Sequence, residues 1–194
     1  MNNFYYNFII FRTDRLGDFI IHSRPIYELK IKYPKSHITV VCSDLNEKMI
    51  SNYSFIDEVI IYNKEDNFMI KSKIFLKIIQ KKYYAAFIID GKKFSHICNI
   101  FIRSKNKLGL VYTTQKRIFL FKYWIKKPFH FYNLIFFNKY EVFTSKNSLF
   151  QAENLCQKYI NIFRDFNNKT IKTTTKYIFE TNKIYEESYK KIKN

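Results

Sequence analysis

The sequence predicts an α/β fold built on a parallel sheet, and three observations carry that reading. Short, continuous apolar runs recur between Phe8 and Val111, each bounded by polar or turn residues. Stretches with apolar residues at helical spacing lie between those runs. No hairpin turn such as Asn-Gly joins one run to the next, so consecutive strands need crossover connections. Strands alternating with helices are the pattern of a parallel sheet covered by helices on both faces.

The elements follow in order. Phe8–Phe11 (Phe-Ile-Ile-Phe) reads as a strand buried on both faces. A polar turn, Arg12–Asp18, comes next. Phe19, Ile20, Ile26, Leu29 and Tyr33 then fall near helical spacing. Tyr33-Pro34 ends that helix, because a residue before proline is pushed out of the helical region. Ile38–Cys42 is a second strand, Asn46–Asn52 a short helix and Val59–Tyr62 a third strand. Over Asn67–Lys82, Phe68, Ile70, Ile74, Phe75, Ile78 and Ile79 alternate with lysines, which predicts an amphipathic helix. Ala85–Ile89 is a fourth strand ending at Asp90-Gly91, Phe94–Ile102 a helix, and Lys107–Val111 a fifth strand. Met1 to about Val111 therefore reads as a Rossmann-like unit. Ile118–Phe137 is aromatic and basic, with Lys126-Lys127-Pro128 in its middle, and reads as an interfacial or core-covering segment. Gln151–Phe163 has a helical pattern, Thr170–Phe179 a strand or extended connector, and Asn182–Ile192 the start of another helix.

A length of 194 residues fits one domain with an appendage better than two full domains. The 47% hydrophobic fraction is enough for a core, and only 3 Gly and 3 Pro argue against a long flexible linker. Lys and Arg outnumber Asp and Glu by 34 to 16. Such a surface attracts nucleic acid, anionic lipid or a phosphorylated substrate. A compositional drift toward Lys, Asn, Ile, Phe and Tyr, the residues of AT-rich codons, gives the same excess, so charge alone does not choose. Cys42, Cys98 and Cys156 are far apart and odd in number, which disfavours a disulfide framework and points to a reducing compartment. His22, His37, His96 and His130 form no metal-binding pair. Met1–Phe11 lacks the features of a signal peptide, and no apolar run is long enough to span a bilayer.

In open parallel sheets, ligands sit at the carboxyl ends of the strands. Two loops there carry chemistry. One is Arg12-Thr13-Asp14-Arg15-Leu16-Gly17-Asp18, after the first strand; the other is Asp90-Gly91-Lys92-Lys93, after the fourth. Parallel strands put both on one edge, with Asp18 and Asp90 in one crevice. Neither loop is a dinucleotide fingerprint or a phosphate-binding loop, since G-x-G-x-x-G and G-x-x-x-x-G-K are both lacking. Asp18 has two readings. It is a first-turn acid satisfying helix amides and dipole, or a base for a hydroxyl, which a helix N-terminus would keep ionised. Asp14, between two arginines, has the first reading more strongly.

The run Ile9-Ile10-Phe11-Arg12-Thr13-Asp14-Arg15-Leu16-Gly17-Asp18, then Pro25, Glu28-Leu29-Lys30, Tyr33-Pro34 and Ile38–Val41, resembles the opening of glycosyltransferase family 9. These are the lipopolysaccharide heptosyltransferases and their relatives. Ile56-Asp57-Glu58-Val59-Ile60, Lys82-Tyr83 and Ile88–Gly91 extend the likeness. It is strong over residues 8–62.

The resemblance implies the N-terminal half of a GT-B fold, a Rossmann-like parallel sheet with a C-terminal helical extension. Residues 1–180 would form the acceptor-binding domain. Residues 181–194 would begin a linker or helix toward a nucleotide-sugar domain absent from this chain. The implied reaction is inverting and metal-independent, with Asp18 taking the proton of the acceptor hydroxyl. Arg12, Asp14, Gly17, Arg24, Asp90 and Gly91 would bind the acceptor. One departure concerns His22-Ser23-Arg24-Pro25, where relatives have small residues; Arg24 either meets an anionic acceptor or is solvated. No cofactor is implied, and a donor such as ADP-heptose would bind the absent domain. The expected partners are an anionic glycolipid acceptor, a membrane surface met through residues 118–137, and a separate chain carrying the other half. Nucleic acid is not expected. The expected location is the cytoplasm, peripheral at the inner face of the inner membrane. Without a donor held beside Asp18, proximity is lost and the chain alone should be nearly inactive. The other readings are a non-catalytic basic α/β module that binds a membrane or other polyanion, and an inactive remnant.

Overall fold

A computed structural model describes residues 6–13, 16–118, 121–126, 136–143 and 161–163. At positions 16, 18, 21, 112–118, 121–126, 142 and 143 it describes the backbone only. The elements run β1 (Tyr6–Phe11), α1 (Leu16–Lys32), β2 (Ser36–Cys42), α2 (Asp44–Ile50), β3 (Glu58–Ile61), α3 (Phe68–Ile79), β4 (Lys82–Ile88), α4 (Lys93–Phe101), β5 (Arg103–Ile118), β6 (Phe121–Lys126) and β7 (Lys139–Phe143).

Strands β3, β2, β1, β4 and β5 lie side by side in that order, and every neighbouring pair is parallel. Strand β7 adds to β5, again in parallel. The strand order reverses between β1 and β4, which is where open α/β sheets place their ligand crevice. The α/β, Rossmann-like architecture expected from the sequence is the one observed.

Period-two alternation sorts the strand residues onto two faces. Phe8, Ile10, Ile38, Val40, Ala85, Phe87 and Leu110 face a core that includes Phe19, Ile26 and Leu29 of α1 and Ile50 of α2. Ile9, Phe11, Val41, Ala86, Ile88 and Val111 face a second core with Ile78 of α3 and Cys98 of α4. Each fully buried large side chain contributes roughly 1.5–3 kcal/mol, so strands apolar on both faces are held by both layers. Helix α1 passes through Pro25, which forfeits one helical bond, and still buries Ile26 and Leu29.

Two segments of the sequence resemblance turn out to be fastened together. Lys30 Nζ donates to both carboxylate oxygens of Asp57, at 2.9 and 2.7 Å. Asp57 Oδ2 also accepts from the Ile38 amide at 2.8 Å. This bracket sets the entry of β2 against the end of α1, which is a structural reason for those residue types there.

The sheet differs from expectation at its far end. Strand β5 is longer than the predicted Lys107–Val111, and it pairs antiparallel with β6 with two residues between them. A hairpin therefore does join consecutive strands, and part of the 118–137 segment is a strand. The aromatic-basic composition hid it, because no turn residue marks Phe119-Leu120. Strand β7 was not anticipated either. Of the predicted Gln151–Phe163 helix, residues 161–163 are helical, and Ile162 and Phe163 are buried. The rest of that helix, Thr170–Phe179 and Asn182–Ile192 lie outside the described residues, as does most of the expected C-terminal extension.

Candidate functional site

The carboxyl ends of β1 and β4 are adjacent, since Phe11 is in register with Ile88. Both loops singled out in the sequence therefore open on one edge of the sheet. Helix α1 starts at Leu16, so Gly17 and Asp18 lie in its first turn rather than in the loop before it. First-turn amides have no partner within the helix, and the helix dipole favours an anion there. Asp14 and the side chain of Asp18 lie outside the described residues.

Asp90 joins the two loops. It is 4% exposed. Its Oδ2 accepts from Thr13 Oγ1 at 2.7 Å and from Ser95 Oγ at 2.7 Å, with a longer contact from the Thr13 amide at 3.4 Å. Its Oδ1 accepts from the Lys92 amide at 3.2 Å. One carboxylate thus ties the loop after β1 to the start of α4. Gly91 follows with φ 63°, in the left-handed region that disfavours a side chain. That turn lets Asp90 face inward while the chain enters α4.

Arg12 is a second strut between the same loops. It is 1% exposed, and its Nη1 donates to the Ile89 carbonyl at 2.8 Å. Its amide continues the ladder by donating to the Val41 carbonyl. Arg24 is two turns into α1, about 12 Å along the axis from its start. Its Nε donates to Glu28 Oε1 at 2.8 Å, one turn on. Gly17 is exposed, and a Cβ there would meet nothing within 4 Å.

Thus Arg12, Gly17, Asp90 and Gly91 come together at the β1–β4 edge with the backbone of Asp18, whereas Arg24 lies along α1. Thr13 and Ser95, which complete the Asp90 bracket, carried no sequence signal, since Thr13 and Asp90 are 77 positions apart. Tyr62, just after β3, stacks on Phe94 of α4 with ring centroids 3.9 Å apart. Burial raises the Tyr62 phenol, with Cys98, Asp66 and Asp90 adding to the shift.

Nucleophilic thiol chemistry has no support here. Burial, then Glu47 and Asp44, push the Cys42 thiol up to about 12. Burial and then Asp90 push the Cys98 thiol up as well. Burial of both thiols favours the protonated, weakly nucleophilic form. Among the described residues no group of three His, Cys, Asp or Glu side chains is placed to hold a metal ion. No helix among them is long and apolar enough to cross a membrane.

The fold and this edge define a class: a doubly wound α/β domain whose strand order reverses between β1 and β4, with the N-terminus of α1 at that edge. No family model matches the chain, and no curated protein sequence matches it. Solved structures do. The chain is similar to the glycosyl transferase family 9 protein from Veillonella parvula, with TM-score 0.69 and 16% identity over 98% of this chain and 50% of that one. It is similar to E. coli ADP-heptose lps heptosyltransferase II, with TM-score 0.59 and 14% identity over 94% of this chain and 49% of that one. It is also similar to E. coli heptosyltransferase WaaC, solved with ADP, with TM-score 0.58 and 13% identity over 87% of this chain and 49% of that one. At these identities the likeness is one of fold. The chain spans about half the length of the structures it matches.

Proposed function

We propose that this chain is the acceptor-side domain of a GT-B glycosyltransferase of the heptosyltransferase type. The observation that carries the reading is the coincidence of a fold likeness and a sequence likeness. The fold is similar to about half the length of a glycosyl transferase family 9 protein and of two heptosyltransferases. Arg12, Gly17 and the backbone of Asp18, in the stretch whose sequence resembles that family, lie at the carboxyl edge of β1, where open α/β sheets commonly bind ligands.

In this reading Asp18 removes the proton from an acceptor hydroxyl. The freed oxygen pair bonds to the anomeric carbon of the donor sugar, and the bond to the nucleoside diphosphate breaks on the opposite face. Configuration inverts, and no metal takes part. Arg12, Asp90 and Gly91 hold the two loops in register, while Gly17 leaves open space beside Asp18. The donor, a nucleotide sugar such as ADP-heptose, is held by a second domain. That domain is supplied by the remainder of a longer chain or by a separate polypeptide. The acceptor is an anionic glycolipid of the lipopolysaccharide-core type, which fits a basic protein.

The test separates the two substrates. Titrated by calorimetry into this chain, a phosphorylated lipopolysaccharide-core acceptor should bind, and ADP-heptose should not. Saturable ADP-heptose binding with no acceptor binding would assign this half to the donor and overturn the proposal.

A further inference from the structure

Two aromatic side chains stand at the carboxyl edge of the sheet and take no part in the Asp90 bracket. Tyr62 directly follows β3, and Phe94 is the second residue of α4. Their rings lie face to face, 3.9 Å apart between centroids and 10° from parallel. Both pack on the core beneath α3 and α4, and both stay partly exposed.

The pair sits level with the bracket. The Tyr62 amide donates to the Cys42 carbonyl at 2.8 Å, one residue past the point where the Arg12 amide meets Val41. Phe94 is the chain neighbour of Ser95, whose hydroxyl ends on Asp90 at 2.7 Å. Burial raises the Tyr62 phenol, and Cys98, Asp66 and Asp90 add to the rise, so the Asp90 carboxylate lies within electrostatic reach of that ring. Three loops are thereby joined at one edge. The Thr13–Asp90 bond ties the loop after β1 to the loop after β4, and the stack ties the residue after β3 to the start of α4.

Aliphatic side chains would close the core at this place equally well. Aromatic rings left partly in water at a ligand edge add a flat face that carries the negative end of a quadrupole. The C–H bonds on one side of a pyranose form an apolar face, made slightly positive by the oxygens around it. That face packs on an aromatic ring while the hydroxyls turn to polar groups beside it. Small-molecule sites combine aromatic walls with a few polar groups in this way. A phosphate has no apolar face to offer, and an acyl chain has no polarised one.

We propose that the Tyr62–Phe94 pair is a platform for one sugar ring of the acceptor, which stacks there through its C–H face. The platform takes an uncharged sugar unit of the acceptor, and the acceptor's anionic groups lie elsewhere. It rests on the acceptor-domain reading and names the part of the acceptor held at the β3–α4 side of the crevice.

The experiment titrates the full 194-residue chain with a phosphorylated, lipid-free lipopolysaccharide-core oligosaccharide, and separately with ADP, and follows the ligand by proton NMR. Tyr62→Leu, Phe94→Leu and Tyr62→Phe are titrated in the same way. C–H protons of one sugar should move upfield on binding, because they lie over an aromatic ring. Each Leu variant should lose that shift and weaken binding by about 3- to 10-fold, the equivalent of one aromatic contact. Tyr62→Phe keeps the ring and should bind as the parent does. The Leu variants keep an apolar side chain on the core, and unchanged thermal melting checks that the fold is kept. The upfield shift in the parent needs no variant, so it decides the matter even where a Leu variant folds poorly. Bound oligosaccharide without that shift, or parental affinity in both Leu variants, overturns the platform and leaves the acceptor-domain reading standing. A loss in Tyr62→Phe as large as in Tyr62→Leu also overturns it, since the phenol and not the ring face would then be the contact. ADP binding that the Leu variants abolish would assign the rings to a nucleobase instead. Absence of any oligosaccharide binding by the parent would overturn the acceptor-domain reading, and the platform with it.

Discussion

Replacing Asp90 with alanine should loosen the β1–α1 and β4–α4 loops together, because one carboxylate serves both. Two short hydroxyl bonds, from Thr13 and Ser95, and two backbone amides end on it. Hydrogen bonds to a charged acceptor contribute roughly 1.5–3 kcal/mol each in net terms. The carboxylate's own desolvation disappears with it, so the sum falls toward the lower end. The expected cost is about 3 kcal/mol. Asp90→Asn keeps one carbonyl oxygen, and the rotatable hydroxyls can accept from its amide, so about 1 kcal/mol is expected. Urea unfolding at unchanged slope measures both values. Hydrogen exchange should show protection falling at residues 12–13 and 91–95 in the same variant. The double variant with Thr13→Val should be less destabilised than the two single changes added, by at least ~1 kcal/mol. A cost of Asp90→Ala below ~0.5 kcal/mol, or full additivity with Thr13→Val, would refute the bracket.

Two further outcomes follow from particular contacts. A Cβ on Gly109 would collide with the Phe137 ring, which sits over β5 just before β7. Gly109→Ala should therefore destabilise by about 1–3 kcal/mol in urea unfolding, and Phe137→Leu in the same chain should recover part of that loss. Glu58 gives a pH dependence. Burial pushes its carboxyl up, but hydrogen bonds from Lys81, Lys77 and Thr39 outweigh burial together and bring it to about 2. A carboxyl lowered in the folded state stabilises fully above its unfolded value near 4.5 and loses that contribution as pH falls toward about 2. Thermal stability of Glu58→Gln should lie below that of the parent at neutral pH, and the gap should close over that acid window.

Much of the fold was legible because a parallel strand buried on both faces has a distinct signature. Phe8–Phe11, Ile38–Cys42 and Ala85–Ile89 are apolar on both faces, since α1 and α2 cover one and α3 and α4 the other. What the sequence hid was polar strand. Arg103-Ser104-Lys105-Asn106 holds no apolar run, yet it extends β5 because its backbone pairs with β4 from Lys82 onward. Lys107 in the same strand donates to the Asn99 and Ile100 carbonyls near the end of α4, and burial lowers its ammonium. Such roles depend on what the fold brings near, and no local period announces them. The site divides in the same way. The two loops and their shared edge follow from strand order, so Arg12, Gly17, Asp90 and Gly91 were within reach of the sequence. That Arg12 and Asp90 brace the loops, held by Ile89, Thr13 and Ser95, required the tertiary pairing of segments far apart in the chain.

The most direct test of the acceptor-domain reading is sugar transfer itself. The chain is combined with the nucleotide-sugar-binding half, and nucleotide release from ADP-heptose is followed in the presence of a lipopolysaccharide-core acceptor. The reading predicts acceptor-dependent release that Asp18→Asn lowers by ~10²–10⁴-fold, the usual loss of a general base, with unchanged acceptor binding. Undiminished release by Asp18→Asn would contradict it.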